Sequence, residues 1–127
     1  MHPIAVGAAV LAALVHVWFF LMESVWFLRP AVYRRFGLKS DAEAELIRGF
    51  AFNQGFYNLF LALGVAVGLV LVASGDPAAG RAIVLFASGS MIAAGLVLVL
   101  SNPKFLRAAA IQAVPPLVAV LGVVFLR

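Results

Sequence analysis

The run FAFNQGFYNLFLALGVAVGLVLVA, residues 50–73, decides the fold class of this chain. It contains no charged residue, and as an α-helix it would extend for roughly 36 Å at about 1.5 Å per residue. The hydrocarbon core of a bilayer is roughly 30 Å thick, so the run is long enough and apolar enough to cross a membrane. We therefore predict a membrane-spanning helix here.

Three further windows have the same character, at residues 4–28, 77–100 and 105–126. The whole chain is 65% hydrophobic and 11% charged, which is far from the composition of soluble domains and leaves almost no residues for one. We predict an all-α fold, an integral membrane four-helix antiparallel bundle. It forms a single transmembrane domain over residues 1–127, with helices at about 4–28, 41–73, 77–101 and 103–126.

The basic residues are distributed like topology signals. In an antiparallel arrangement, the loops after helices one and three share one side of the membrane. That side holds Arg29, Arg34, Arg35, Lys39, Arg48, Lys104 and Arg107, whereas the other holds Arg81 and Arg127. The positive-inside rule then predicts a multi-pass protein of the cell inner (plasma) membrane with both termini non-cytoplasmic. Because topology accounts for the net charge of +4, we expect no nucleic acid partner.

The helix starts show capping chemistry. Ser40 and Glu43 have the spacing of a capping box, so a helix should begin there. Nothing after this point obliges the helix to stop before the membrane, and we predict that helix two is extended by an amphipathic cytoplasmic segment. Two later starts place a capping side chain before a proline, at Asp76-Pro77 and Asn102-Pro103.

Small residues predict where helices approach closely. Gly64 and Gly68 form a small-xxx-small pair on helix two, and Gly89 and Gly95 support it on helix three. Lipid gives no hydrophobic drive for helix association, so close packing at such residues takes its place.

Polar residues within the apolar windows are the candidate functional residues, because a polar group in hydrocarbon costs free energy unless it has a partner. On helix one, His16 and Glu23 are seven residues apart, which returns to nearly the same face after about 10 Å. We predict that these two are catalytic. The predicted ligand-binding residues enter from the same side on helices two and four: Asn53, Gln54, Tyr57, Asn58 and Gln112. All of them should converge between the cytoplasmic interface and the midplane and form a polar pocket.

Each of these residues also has a structural explanation. A lone histidine can be satisfied by a backbone carbonyl, and Glu23 could pair with an arginine at the interface. The amides could simply bond helices together at about 0.6 kcal/mol each, and Tyr57 could be a packing residue. Five polar groups at one depth exceed what helix association requires, which favours the pocket.

Metal and cofactor chemistry is not expected. The chain has no cysteine, and its intramembrane histidine and carboxylate lack the spacing of zinc motifs. Nucleotide-binding loops and serine-triad signatures are absent from the sequence as well. We predict no metal site and no cofactor.

The run Phe52-Asn53-Gln54-Gly55-Phe56-Tyr57-Asn58-Leu59-Phe60-Leu61-Ala62 resembles the A-N-Q-G-x-Y-N-x-F-L-A hallmark of domain-of-unknown-function family 1304. His16, Glu23 and Trp26 are similar to residues of that family's first helix. Phe36-Gly37-Leu38 is similar to its F-G-L motif. The stretch from Gln112 to Pro115 is similar to its closing Q-x-x-P motif. Phe52 departs from the usual alanine. The resemblance implies a small membrane protein with these polar positions, and no activity.

Three functions are consistent with this pattern. The first is an acid/base isomerase or cyclase acting on a small lipophilic ligand, because burial disfavours a charged carboxylate and makes Glu23 a candidate proton donor. The second is a proton-coupled transporter, similar in size and helix count to the small multidrug resistance transporters. The third is a non-catalytic lipid-binding or structural subunit. Membrane lipid and a small lipophilic ligand are the expected partners, and a homo-oligomer stays open.

Overall fold

The structure, a computed structural model, describes residues 1–126, which form helices and no strands. The first helix, α1, covers Pro3–Phe20 and continues into a π-helical turn at Leu21–Val25. A short helix, α2 (Pro30–Tyr33), leads into a 3-10 turn at Arg34–Phe36. Then follow α3 (Asp41–Ser74) and α4 (Pro77–Ser101), a 3-10 turn at Pro103–Phe105, and α5 (Leu106–Phe125).

Four helical stretches are long and apolar enough to cross a membrane: Pro3–Val25, Asp41–Ser74, Pro77–Ser101 and Pro103–Phe125. Large apolar side chains on them point outward, such as Phe86 and Leu100, which are 78% and 80% exposed. Such extensive apolar surface suits hydrocarbon rather than water. The predicted all-α fold with four membrane helices is confirmed, and the chain is a multi-pass membrane protein.

The chain divides into two compact units. One, the terminal unit, comprises Met1–Val15 and the chain from Leu61 onward. The other, the polar unit, is His16–Phe60 and includes the π turn, α2 and the first part of α3. All the predicted site residues except Gln112 belong to the polar unit.

In the terminal unit, α3 and α4 pack at glycines. A Cβ on Gly80 would lie 2.5 Å from the carbonyl oxygen of Gly68 and 2.6 Å from the backbone nitrogen of Val72. One on Gly64 would lie 3.4 Å from Ala87. The earlier residue on α3, Gly64, contacts the later residue on α4, Ala87. The two helices therefore run antiparallel, as their short connection through Gly75 requires.

In the same unit, the predicted close helix approach is confirmed at Gly95 but not at Gly89. A Cβ on Gly95 would lie 3.0 Å from Ala113 Cβ, so α4 and α5 also approach closely there, and one on Gly122 would lie 2.7 Å from Ala5 Cβ. The prediction for Gly89 was wrong, because no atom lies within 4 Å of its Cβ position among the described residues. Gly89 falls on a different face of α4 from Gly95, since six residues advance a helix by about one and two-thirds turns.

The core of the terminal unit is made of small and medium-sized side chains. Val65, Val84 and Met91 are fully buried. Alanines from three helices complete this cluster: Ala9 and Ala12 on α1, Ala87 on α4 and Ala119 on α5. Small side chains allow the backbones to approach, which is how helices gain contact area in lipid.

Two of the three predicted helix caps are present. The backbone N–H of Glu43 donates to Ser40 Oγ at 3.2 Å, and Glu43 Oε2 accepts from the Lys39 N–H at 2.7 Å. Asp76 Oδ1 accepts from the Ala79 N–H at 3.1 Å. Asn102 makes no side-chain cap, which corrects the third prediction. Its backbone carbonyl instead closes a 3-10 turn by accepting from the Phe105 N–H.

The polar unit contains a compact hairpin before α3. Phe27, Tyr33 and Ala44 form its buried cluster, and the Tyr33 hydroxyl donates to Asp41 Oδ1 at 2.8 Å. This hydrogen bond to a carboxylate raises the pKa of Tyr33 above its ordinary value. Gly37, at a φ of 82°, turns the chain back toward α3, because that left-handed conformation is open to glycine at little cost.

Candidate functional site

Glu23 lies in the π-helical turn that ends the first membrane helix. The wide turn is closed by the Trp26 N–H, which donates to the Leu21 carbonyl at 2.8 Å across five residues. Glu23 is only 8% exposed. A π turn inserts an extra residue into a helix, and such turns often occur at functional sites. Here it sets the direction in which Glu23 leaves the helix.

Asn58 on α3 is the partner of Glu23. Its Nδ2 donates to Glu23 Oε1 at 2.8 Å, and Asn58 is 5% exposed. The bond joins two buried polar groups from residues 35 positions apart in the chain. Because an unpaired amide or carboxyl in this setting would be costly, each group stabilises the burial of the other.

A second contact holds the same two segments together. The Ser24 hydroxyl donates to the Phe52 carbonyl at 2.7 Å. Gly55 lies directly against Ser24, and a methyl group on Gly55 would overlap the Ser24 hydroxyl. Glycine at this position therefore permits the close approach that lets Asn58 reach Glu23.

Glu23 also lines an open depression of about 390 Å³ in the polar unit. Two of its other walls are the amides Asn53 and Gln54. The remaining walls are apolar: Phe27, Phe36, Ile47, Phe50 and Ala51. One carboxyl group and two amides beside three phenyl rings can hydrogen-bond one end of a molecule while hydrocarbon contacts hold the rest.

The structure thus brings together Glu23, Asn58, Asn53 and Gln54, although in different environments. Asn58 is buried against Glu23, whereas Asn53 and Gln54 are exposed at the depression. Neighbouring residues on one helix point in different directions, so three amides within six positions cannot all face the same partner.

The other predicted residues lie elsewhere. His16 is fully buried, with its ring edge-on to Phe19 at 5.6 Å between centroids. Tyr57 is 56% exposed and is not among the walls of the depression. Gln112 is half-buried within the terminal unit, and its place beside the other amides stays a prediction.

Several residues of the site had no clear signal in the sequence. Ser24 looks like any membrane serine until its contact with the Phe52 carbonyl is known. Phe27 and Phe50 read as ordinary apolar residues, and Phe36 stood out only through its similarity to the family's F-G-L, although it packs against Phe27 at 5.6 Å between ring centroids. The adjacency of Glu23 and Ser24 was the one available hint, because two consecutive polar residues near the end of an apolar helix are unusual.

Two other features of the described residues bear on the site's chemistry. Within residues 1–126, no three His, Cys, Asp or Glu side chains form a group able to hold a metal ion. A second depression, of about 280 Å³, lies in the terminal unit and has only apolar side chains and Gly122 around it. It offers no group for chemistry, so the polar unit carries the candidate site.

The comparisons with known proteins agree with the resemblance seen in residues 52–62. A family model described as "Protein of unknown function (DUF1304)" matches residues 10–124, and the expected family is thereby confirmed. No curated protein and no solved structure matches the chain. The matched range contains the Glu23–Asn58 pair and the whole depression beside it.

Proposed function

The chain belongs to the DUF1304 family, and since that family's description assigns no activity, we propose a function from the geometry of the polar unit. The protein binds a small lipophilic ligand in the membrane and acts on it by proton transfer, in the manner of an acid/base isomerase or cyclase. Glu23 is the acid/base group of this proposal. Asn58 orients it, and Asn53 and Gln54 bind the polar end of the ligand.

One observation carries the proposal: the buried hydrogen bond from Asn58 to Glu23 at the wall of an open depression. Asn58 engages one oxygen of the carboxyl group. The second oxygen can accept a hydrogen bond when the group is ionised and donate one when it is protonated. A carboxyl group held in this way can give or take a proton at a ligand beside it.

Helix lengths support a site near the boundary of the hydrocarbon core. About 20 residues cross the core. Counting forward from Pro3 reaches the region of Glu23, and counting back from Ser74 reaches the region of Gly55. A ligand here would therefore place its polar group at the boundary and its hydrocarbon part along Phe27 and Phe50.

His16 takes no direct part in this proposal. It lies about 10 Å from Glu23 along the helix axis, which is too far for direct proton transfer between them. It is also fully buried and is not among the walls of the depression, so a ligand held there would not contact it. Tyr57 and Gln112 are outside the set of residues that the proposal requires.

The location and topology belong to the same proposal. Seven of the nine Lys and Arg residues fall on one side of an antiparallel four-helix arrangement, which supports the inner (plasma) membrane with both termini outside the cytoplasm. The site would then open toward the cytoplasmic leaflet, with membrane lipid and the ligand as partners.

Photolabelling tests the binding step. A long-chain alcohol carrying a diazirine should label the reconstituted full-length protein mainly within residues 23–36 and 47–54, and excess unlabelled alcohol should suppress that labelling. Glu23→Leu removes the hydrogen-bonding group, so we expect about tenfold weaker labelling there, equivalent to about 1.4 kcal/mol. Peptide mass spectrometry measures both quantities.

The matched control is Glu45→Leu, which removes an exposed carboxylate from the same unit. Its labelling should equal that of the unmodified protein. Even labelling of lipid-facing residues such as Phe86 and Leu100, with no suppression by excess alcohol, would contradict the proposal.

A non-catalytic subunit is the second candidate, because the bond between Asn58 and Glu23 also joins two helices. In that case, replacing either residue would lower stability while leaving probe labelling unchanged. The ligand-binding candidate therefore predicts weaker labelling when Glu23 is replaced, whereas the non-catalytic candidate predicts lower stability and unchanged labelling.

A further inference from the structure

Residues 29–39, here called the basic segment, link the first membrane helix to α3. Their sequence is RPAVYRRFGLK, with four basic residues and no acidic one. Arg29, Arg34, Arg35 and Lys39 are all exposed. A charge of one sign concentrated in so short a segment attracts anions, unless nearby carboxylates already neutralise it.

The nearby carboxylates keep their charge but form no ion pair with these four cations. Asp41 accepts from the Tyr33 hydroxyl, Glu43 accepts from the backbone N–H of Lys39, and Glu45 pairs with Arg48 at 3.8 Å. Within residues 1–126, none of the four cations of the basic segment forms an ion pair. Their charges are therefore available to an external anion.

The segment is also folded rather than extended. The α2 helix places Tyr33 in the buried cluster, and the Phe36 ring packs on Phe27. The backbone closes through the Gly37 N–H to the Arg34 carbonyl and the Leu38 N–H to the Tyr33 carbonyl. Tyr33, Phe36 and Leu38 thus pack against the protein, while Arg34 and Arg35 are exposed on a folded backbone.

Its depth matches the lipid headgroup region. The segment begins four residues after Val25, where the first membrane span ends. Arg29 lies over the Trp26 ring at 5.1 Å, and Trp26 packs edge-on against Trp18. Tryptophan favours the membrane–water interface, so the cations that follow it should meet headgroups rather than acyl chains.

From these observations we propose that the basic segment binds the phosphate groups of anionic phospholipids. The planar guanidinium groups of Arg34 and Arg35 match phosphate oxygens in paired hydrogen bonds. Arg29 and Lys39 add charge at either end. The cations of this segment are separate from the proposed ligand site, which shares only Phe36 with the segment and has no basic side chain among its walls.

Native mass spectrometry of the full-length protein in mixed micelles tests this proposal. We compare retention of phosphatidylglycerol with that of phosphatidylcholine of the same acyl chains. The variant Arg34→Gln/Arg35→Gln/Lys39→Gln should lose about a hundredfold in phosphatidylglycerol retention, since each of the three basic residues near an anionic surface contributes about fivefold. Phosphatidylcholine retention should not change.

The control variant, Arg81→Gln/Lys104→Gln/Arg107→Gln, removes the same number of charges outside the basic segment. Lys104 and Arg107 fall on the same predicted side of the membrane as the basic segment, so some loss is expected, but it should be well below that of the first triple variant. Arg35→Gln alone, with an expected loss of about fivefold, provides the test should the triple variant fail to fold. A parallel series with inorganic phosphate separates lipid from free anion, and phosphate should not displace the bound lipid.

Three results would overturn the proposal. One is equal retention of the two lipids by the unmodified protein. Another is an equal loss in both triple variants, which would mean that overall charge alone matters. The third is displacement of lipid by inorganic phosphate, which would identify a free-anion site.

Discussion

Gly80→Ala is expected to lower the free energy of unfolding by about 3 kcal/mol, near the upper end of the usual range for overpacking. The added methyl group would lie 2.5 Å from the Gly68 carbonyl oxygen and 2.6 Å from the Val72 nitrogen. Both atoms belong to the backbone, so no side chain can rotate away and α3 must move from α4. Reversible unfolding in mixed detergent micelles measures the loss.

Gly89→Ala is the matched control, because it adds the same methyl group to the same helix. Within residues 1–126, no atom outside its own helical turn lies within 4 Å of its Cβ position. Alanine is also the better helix former by about 1 kcal/mol, so we expect unchanged or slightly higher stability. Equal losses in the two variants would mean that the glycine contact between α3 and α4 does not hold the terminal unit together.

Asn58→Leu is expected to lower the free energy of unfolding by about 1–3 kcal/mol. The substitution leaves the Glu23 carboxyl buried without the amide that donates to it at 2.8 Å. Gln54→Leu is the control, since it replaces an exposed amide one turn earlier on the same helix. Its effect should stay within about 0.5 kcal/mol.

The double variant Glu23→Leu/Asn58→Leu separates stability from function. With both polar partners replaced by apolar groups, much of the lost stability should return. Labelling by the diazirine alcohol should nevertheless stay low, because the hydrogen-bonding group of the site is gone. If stability returns and labelling equals that of the unmodified protein, the pair only joins helices, and the non-catalytic candidate is correct.

Sequence was sufficient for the fold because the relevant signals are local. Four apolar windows exceed the length that crosses a bilayer, and Ser40 and Asp76 cap helices through residues three positions away. Gly64 and Gly68 indicated which face of α3 packs against α4. Asn102 makes no side-chain cap, and a 3-10 turn follows it at Pro103–Phe105 where the sequence predicted the first turn of an α-helix.

The candidate site could be predicted only in part. Glu23 and Asn58 stood out as polar residues in apolar helices, and the structure brings them into contact. The π turn at Leu21–Val25 has no recognisable signal in the sequence. Helical spacing alone also placed Asn53 and Tyr57 with the others, although both are exposed and only Asn53 lines the depression.

The account depends most on the bond between Asn58 and Glu23 and on its response to a ligand. Solid-state NMR of the protein in bilayers, with ¹⁵N in the Asn58 side chain and ¹³C in the Glu23 carboxyl, measures the dipolar coupling between them. We predict a coupling that corresponds to the 2.8 Å N···O contact, together with a shift of the Glu23 carboxyl signal when a long-chain alcohol is added. No coupling between the two side chains, or a carboxyl signal that saturating alcohol leaves unchanged, would contradict the account.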